Sequence, residues 1–257
     1  MLYITGDCHG NHHEDGVHRF SSRAFPQQKD LTKDDYLLVC GDFGLVWDNS
    51  KELLWWIRWL DQERPFTTLF LGGNHENYTL LKEYPLKPWR GGMVRQIAPS
   101  VLYLCSGYVF DLGPSVFVMG GGQSHDFEVL LSPGPDLKRK KHYLEYRKIF
   151  YRVEGISWWP DELPGEEVYR TARSALDSRN WKVDLVATHC APTDIQRQVK
   201  PSYPENKLTE FLSEVRKKLD YQQWYCGHYH IQKEFPNEKF RILYRDIQPV
   251  TEYTKAL

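Results

Sequence analysis

Thr67-Thr68-Leu69-Phe70-Leu71-Gly72-Gly73-Asn74-His75-Glu76 is a short apolar run that stops at two glycines and then presents an amide, an imidazole and a carboxylate in succession. A run of this length, rich in β-branched and aromatic residues and closed by glycine, reads as a buried strand. The same design occurs four more times. Leu2-Tyr3-Ile4-Thr5 leads into Gly6-Asp7-Cys8-His9-Gly10, and Tyr36-Leu37-Leu38-Val39-Cys40 into Gly41-Asp42-Phe43-Gly44. Further along, Val183-Asp184-Leu185-Val186-Ala187 leads into Thr188-His189, and Gln223-Trp224-Tyr225-Cys226 into Gly227-His228-Tyr229-His230.

Helical patterns separate these strands. One is capped by Asp48 or Asn49 and continues to Glu63, with Leu53, Leu54, Ile57 and Leu60 on one face. A second follows Pro164 to about Asn180, and a third covers 205–219 with Leu208, Phe211, Leu212, Val215 and Leu219 at helical spacing. Alternating strands and helices predict an α/β fold. The runs at 101–104, 108–112 and 115–119 predict an antiparallel meander, and 240–250 one more strand. The expected product is a mixed, two-layered β core flanked by helices. The least regular stretch, about 120–164, has core strands on both sides, so it reads as an insertion within one domain spanning 1–257.

Composition narrows the function. With 33 Lys+Arg against 34 Asp+Glu in 257 residues, 26 % charged and 41 % apolar, disordered, collagenous and supercharged chains are excluded. A net charge of −1 gives no general attraction to polyanions, so neither membrane association nor stable nucleic-acid binding is expected, and an anionic substrate must be met by a local field. No apolar run approaches the roughly 20 residues that span a bilayer. Five cysteines at irregular spacing do not make a disulfide framework, and the chain starts directly on a strand-like run with no room for a leader, so the expected compartment is the cytoplasm.

In an open α/β sheet, strand ends gather on one edge, where ligands bind. Each of the five runs delivers a metal-competent group there: Asp7 and His9, Asp42, Asn74, His189, and His228 with His230. Any one of these alone would read as an ordinary loop residue; five strand ends behaving alike do not. Residues i and i+2 of an extended backbone share a face, which would align Asp7 with His9 and His228 with His230. Neighbouring Asn74 and His75 should diverge, one offering a carbonyl oxygen to a metal and the other free to move protons. Two carboxylates, four imidazoles and one amide are too many donors for one ion and suit two. Without thiolate, the set favours Mn²⁺, Fe or Zn²⁺. Two divalent ions, two carboxylates and a bridging hydroxide leave a centre of about +1, able to hold a phosphate ester and to make hydroxide available for in-line attack.

In this order, Gly6-Asp7-Cys8-His9-Gly10, Gly41-Asp42, Gly73-Asn74-His75-Glu76, Thr188-His189 and Gly227-His228-Tyr229-His230 resemble the motifs GDxHG, GD, GNHE, a lone His and GHxH of the calcineurin-like metallophosphoesterases. The resemblance runs from residue 6 to residue 230. It implies a four-layered α-β-β-α fold with two mixed sheets and a dinuclear centre that hydrolyses phosphomonoesters or phosphodiesters. By that pattern Asp7, His9 and His230 hold the first metal, Asn74, His189 and His228 the second, Asp42 bridges, and His75 protonates the leaving-group oxygen. Phosphoprotein phosphatases of this superfamily extend the second motif to GDxxDRG. Here Leu45 and Val46 occupy the later Asp and Arg positions. The group that orients His75 is therefore unassigned, with Asp48 and Glu76 as candidates, and a small-molecule or nucleotide ester is favoured over a phosphoprotein. A scaffold that keeps the fold without turnover is the alternative, weakened by the presence of all seven ligands.

Weaker features remain. Asn11 and His12 are candidate phosphate contacts, although loop histidines such as His12, His13 and His18 read first as solvated. Trp158 and Trp159 read as packing, or as a stacking platform for a planar substrate group. Lys138-Arg139-Lys140-Lys141 reads as a solvated helix face, or else as a recruiter of polyanions. Ser124-His125-Asp126 cannot form a hydrolase relay, because adjacent residues do not converge, and reads as loop structure near the metals. The sequence does not set the oligomeric state.

Overall fold

Parallel strands covered on both faces are apolar throughout rather than alternating, and the leading strands follow that rule. The computed structural model describes residues 1–11 and 16–250. Its first part contains β1 (Leu2–Thr5), β2 (Tyr36–Val39), α1 (Lys51–Glu63), β3 (Thr67–Phe70), α2 (Tyr78–Glu83), β4 (Leu86–Trp89), β5 (Gly92–Ala98) and β6 (Val101–Leu104). Every residue of β1, β2 and β3 is buried. These three strands and β6 pair in parallel, and β5 and β4 fold back antiparallel beyond β6.

The second part contains β7 (Tyr108–Asp111), β8 (Ser115–Met119), β9 (Val129–Leu131), α3 (Leu137–Arg147), β10 (Tyr151–Val153), α4 (Glu166–Asp177), β11 (Leu185–Thr188), α5 (Thr193–Val199), α6 (Lys207–Lys218), β12 (Gln223–Cys226), β13 (Lys233–Phe235), β14 (Phe240–Ile242) and β15 (Gln248–Pro249). Here β8, β11, β12 and β14 are parallel, between antiparallel edges β7 and β13. The two sheet orders are β15-β1-β2-β3-β6-β5-β4 and β13-β14-β12-β11-β8-β7.

Side chains alternate across each strand and build three apolar layers. Leu38, Leu69 and Leu102 face Phe110, Val118 and Ala187 between the sheets. Leu37, Val39 and Phe70 point the other way, onto Leu53, Ile57 and Leu60 of α1. On the far side Phe117, Val186 and Trp224 pack against Tyr169 and Leu176 of α4 and Leu208, Leu212 and Val215 of α6. The result is the α-β-β-α sandwich of two mixed sheets.

Several local readings change. The cap of α1 is Ser50, whose Oγ accepts the Leu53 N–H at 3.3 Å, while Asp48 accepts the Ser50 N–H at 2.8 Å. The expected meander divides: β6 belongs to the first sheet and β7 and β8 to the second. The tail divides as well, with β14 in the second sheet and β15 on the edge of the first. The β4–β5 hairpin has no counterpart in the sequence reading. Its residues are mostly half-exposed, so they lack the continuous apolar signature of the inner strands. Within 120–164, β9 and β10 pair in parallel beside α3 over a small cluster of Leu131, Leu144 and Val153. Among the described residues no helix is long and apolar enough to cross a membrane.

Leu38 is fully buried between the sheets, whereas Leu54 on α1 is 40 % exposed. Leu38→Ala should lower the unfolding free energy by about 2–5 kcal/mol, and Leu54→Ala by no more than about 0.5 kcal/mol. Urea denaturation of both variants checks this; equal losses would contradict the assignment of the inter-sheet core.

Candidate metal centre

The C-terminal ends of β1, β2 and β3 lie side by side, as do those of β11 and β12, so the five motif loops open on one edge of the sandwich. Asp7 and Asp42 are 1 % exposed each. Asp42 Oδ1 accepts the His75 N–H at 2.8 Å, and Asp7 Oδ1 accepts the His228 N–H at 2.8 Å. Each carboxylate fills the space of a missing side chain. A Cβ on Gly73 would stand 2.0 Å from Asp42 Oδ1, and one on Gly227 2.1 Å from Asp7 Oδ1. Those two positions therefore exclude every residue but glycine.

The side chains converge by a route other than strand alternation. His9 (φ 53°), Asp42 (φ 48°), His228 (φ 71°) and His230 (φ 51°) all adopt the left-handed region. Each such residue costs roughly 1–3 kcal/mol and persists only where its surroundings enforce it. Asp7/His9 and His228/His230 thus meet through tight turns, not through the shared face of an extended strand.

Around Asp7 the donors crowd. His9 Nε2 and His230 Nε2 face each other at 2.9 Å, and His230 Nε2 lies 3.1 Å from Asp7 Oδ2. His9 Nε2 is 4.0 Å from Asp42 Oδ2. One ligand atom from each of Asp7, His9, Asp42 and His230 fits within 4.8 Å of the others. Asp7 Oδ2 is buried without an aligned hydrogen bond, which is costly for a carboxylate oxygen. A cation at this point satisfies that oxygen and both imidazole lone pairs, and the N/O donor set is right for one.

A second group adjoins it. The His189 Nδ1 is 2.8 Å from the Cys40 carbonyl, so it carries the hydrogen, and in that tautomer the lone pair of Nε2 turns outward. That lone pair faces Asn74 Oδ1 at 3.1 Å and lies 3.6 Å from Asp42 Oδ1. The Asn74 amide nitrogen donates to Ser124 Oγ at 3.2 Å, which leaves its oxygen for this contact. The His228 ring lies 4.9 Å from that of His189, centroid to centroid. Acceptors facing acceptors again fit a cation. All seven expected donors are thus drawn into two adjoining groups that share Asp42.

Electrostatics keeps Asp7, Asp42, His9 and His228 in ligand-competent form. Burial opposes the ionisation of Asp7, but His230, His189 and His9 outweigh it and hold the carboxyl below the usual range. Asp42 is lowered in the same way, against burial, by His189, His75 and His9. Desolvation pushes His9 down to about 4 and His228 to about 3, so both rings are neutral near pH 7. His230 is raised, mainly by its contact with Asp7.

His75 stands beside the cluster, its ring 5.3 Å from that of His9. Of the two candidate orienters, Asp48 accepts the Ser50 N–H through Oδ1 at the start of α1, and Glu76 is fully buried with Oε1 accepting the Phe43 N–H at 2.6 Å. Burial drives the Glu76 carboxyl well above its usual range. Leu45 and Val46 are buried too. Ser124, His125 and Asp126 all belong to the rim. Ser124 bonds Asn74, the His125 ring lies 5.8 Å from that of His228, and Asp126 is held below the usual range, against burial, by Arg152 and by the field of His75.

Two supports escaped the sequence reading. Arg19 donates to the Asp7 carbonyl at 2.7 Å and to the Gly6 carbonyl at 2.8 Å, fixing the first loop. Tyr244 stacks on His230, with centroids 4.9 Å apart and planes 13° from parallel. Both lie outside any motif, and no local signal marks them. Trp159 proves to be packing: it is buried, donates to Thr79 Oγ1 at 2.9 Å and meets the Trp47 ring edge-on, so it offers no stacking platform. Trp158 is half-buried in a bridge to Glu154. Asn11 donates to Glu52 of α1, and His12 lies outside the described residues.

The family profile described as calcineurin-like phosphoesterase matches residues 2–232. Among curated proteins, lariat debranching enzyme A of Xenopus laevis is 28 % identical over 141 residues, and the lariat debranching enzyme of Homo sapiens 29 % identical over 139. The matches cover 49 % and 48 % of this chain and 24 % of each relative, so the chain spans about a quarter of their length. Among solved structures, a phosphopantetheinyl hydrolase from Mycobacterium tuberculosis aligns over 95 % of this chain and 87 % of its own, with 16 % identity and a TM-score of 0.41. A putative 5'-nucleotidase from Staphylococcus aureus aligns over 95 % of this chain and 48 % of its own, with 15 % identity and a TM-score of 0.45.

Glu162 braces the glycine loop beside the cluster. Its carbonyl accepts the Gly122 N–H at 2.9 Å, its Oε2 accepts the Ser124 N–H at 3.3 Å, and burial pushes its carboxyl from the usual 4.5 up to about 8. The folded state thus binds this proton more tightly than the unfolded state, so its contribution to stability falls as pH rises from about 4.5 to about 8. Glu162→Gln should remove that decline, gaining on the parent in urea denaturation at pH 8 relative to pH 5. A constant difference across the range would contradict the buried neutral acid.

Proposed function

Because the chain belongs to the calcineurin-like phosphoesterase family, we propose that it is a metal-dependent phosphoesterase, hydrolysing phosphomonoesters or phosphodiesters at the cluster of five strand ends. The observation that carries this reading is the meeting of seven N and O donors, the paired carboxylates Asp7 and Asp42 among them. Asp7, His9 and His230 would hold one divalent ion, and Asn74, His189 and His228 the other, with Asp42 between them; Mn²⁺, Fe or Zn²⁺ suit such donors. When bound, the ions supply Lewis acidity toward a phosphoryl oxygen and acidify water.

The chain's own residues do the rest. Desolvated His9 and His228 keep their rings unprotonated near neutrality. The Cys40 carbonyl fixes the tautomer of His189. His75, whose backbone is tied to Asp42, holds the proton that the leaving-group oxygen takes up. Buried Leu45 and Val46, in place of an acid and an arginine, favour a small-molecule or nucleotide ester over a phosphoprotein. Five free cysteines favour a reducing, cytoplasmic setting. We take 1–257 as one domain and 120–164 as an insertion in it.

The test is hydrolysis of p-nitrophenyl phosphate and its bis-ester by Mn²⁺-loaded protein. His75→Ala should keep its metal and lose turnover by about 10²–10⁴-fold, the usual worth of a general acid. Asp42→Asn should lose metal and activity together. Loss of metal from His75→Ala, or full metal content in Asp42→Asn, would contradict the roles given to them.

A further inference from the structure

The 120–164 stretch leaves the cluster and returns to it. It departs past Gly122, where a Cβ would stand 2.9 Å from His189 Cδ2, and past Ser124, and it comes back at Glu162, which bonds both loop residues. Between these anchors the chain forms β9, α3 and β10. Helix α3 carries Lys138, Arg139, Lys140, Lys141 and Arg147, with Lys148 at its C-cap, against one internal acid, Glu145, which is already bonded to the Tyr151 hydroxyl. In a chain of net charge −1 this is a local concentration of positive charge.

At 100° per residue, Arg139, Lys140, Tyr143, Tyr146 and Arg147 share one exposed face of the helix, so two rings lie between cations along it. Tyr143 is 58 % and Tyr146 81 % exposed. Beside this face a cavity of about 420 Å³ opens between α3 and β9, with Val129, Leu131 and Leu144 as its floor and Arg139, Lys140 and Tyr143 as its rim. Leu130 and Phe150 are exposed on the same lobe. Arg139 pairs with the exposed Asp136 at 3.2 Å, a contact that a phosphate can replace.

We propose that α3 and β9 form a docking groove for single-stranded nucleic acid. A chain of flat bases joined by phosphates matches a pair of rings flanked by cations, because bases stack on tyrosine and phosphates pair with Arg and Lys. A lipid surface fits less well: a bilayer would reach the exposed Leu130 and Phe150 but not the apolar floor, which is recessed below the charged rim. The catalytic use of the groove, delivering a phosphodiester to the metal centre, rests on the phosphoesterase reading above; the binding itself does not.

The experiment is fluorescence anisotropy of a labelled 12-nucleotide single-stranded RNA with the full chain in EDTA, between 50 and 200 mM salt. Saturable binding should weaken with salt at a log–log slope of about 2–4, as for several neutralised phosphates at roughly 0.7 each. The triple variant Arg139→Glu/Lys140→Glu/Arg147→Glu should bind at least about 10-fold more weakly. Tyr143→Ala/Tyr146→Ala should lose at least about 30-fold with the slope unchanged, as expected for two stacked bases. Both variants should melt at the parent's temperature, since all five side chains are exposed. Absence of binding by the parent, undiminished binding by either variant, or a patch that responds to phosphatidylserine vesicles or self-association instead of RNA would overturn the groove. Hydrolysis of the bis-ester by the Mn²⁺-loaded parent is measured alongside. Turnover without RNA binding sinks the groove alone; RNA binding without turnover sinks the catalytic reading alone.

Discussion

Two ionised carboxylates sit almost without solvent at the edge of an apolar sandwich, and the arrangement around them follows from that. Burying a charged carboxylate is tolerable only with hydrogen bonds and opposite charge close by. Asp7, at the end of β1 in the first sheet, is held by the His228 N–H from the second sheet. Asp42 is held by the His75 N–H, and its carbonyl takes the Cys8 and His9 N–H groups at 3.0 and 2.6 Å. The loops are therefore laced to one another through the carboxylates, across the sheet junction and along the first sheet. Glycine at 73 and 227 is the steric condition for this lacing.

The same constraint accounts for the strained backbone. Four residues of the centre lie in the left-handed region, a combined cost that the loops could not sustain alone. They are sustained because each loop springs from a strand buried on both faces, and because the inter-sheet layer of Leu38, Leu69, Val118 and Ala187 fixes where those strands end. Rigidity at the edge is thus a property of the core. The desolvation that packs the histidines together also lowers the proton affinity of His9 and His228 and leaves their lone pairs available.

What was legible in the sequence was what is local. An apolar run closed by glycine and a donor needs no distant information, so five strand ends and the donors they carry could be named directly. The reason they converge is tight turns rather than a shared strand face, and dihedral angles at His9 and His228 depend on neighbouring loops that a linear pattern does not contain. Sheet membership was hidden for a similar cause. The 101–119 runs look like one meander, and only packing decides that β7 joins the opposite sheet. Arg19, Tyr244 and the burial of Trp159 against Trp47 are settled by contacts between residues far apart in the chain. The cations of α3 are visible as a run, but the face they share with Tyr143 and Tyr146 emerges only when the helix and its flanking cavity are in place.

An anomalous difference map from crystals grown with Mn²⁺, collected near the manganese edge, bears most directly on the centre. Two peaks are expected, one among Asp7, His9 and His230 and one among Asn74, His189 and His228, each with Asp42 in its coordination sphere. A map with no peak at this edge of the sandwich, or with a single ion bound by other residues, would contradict the account.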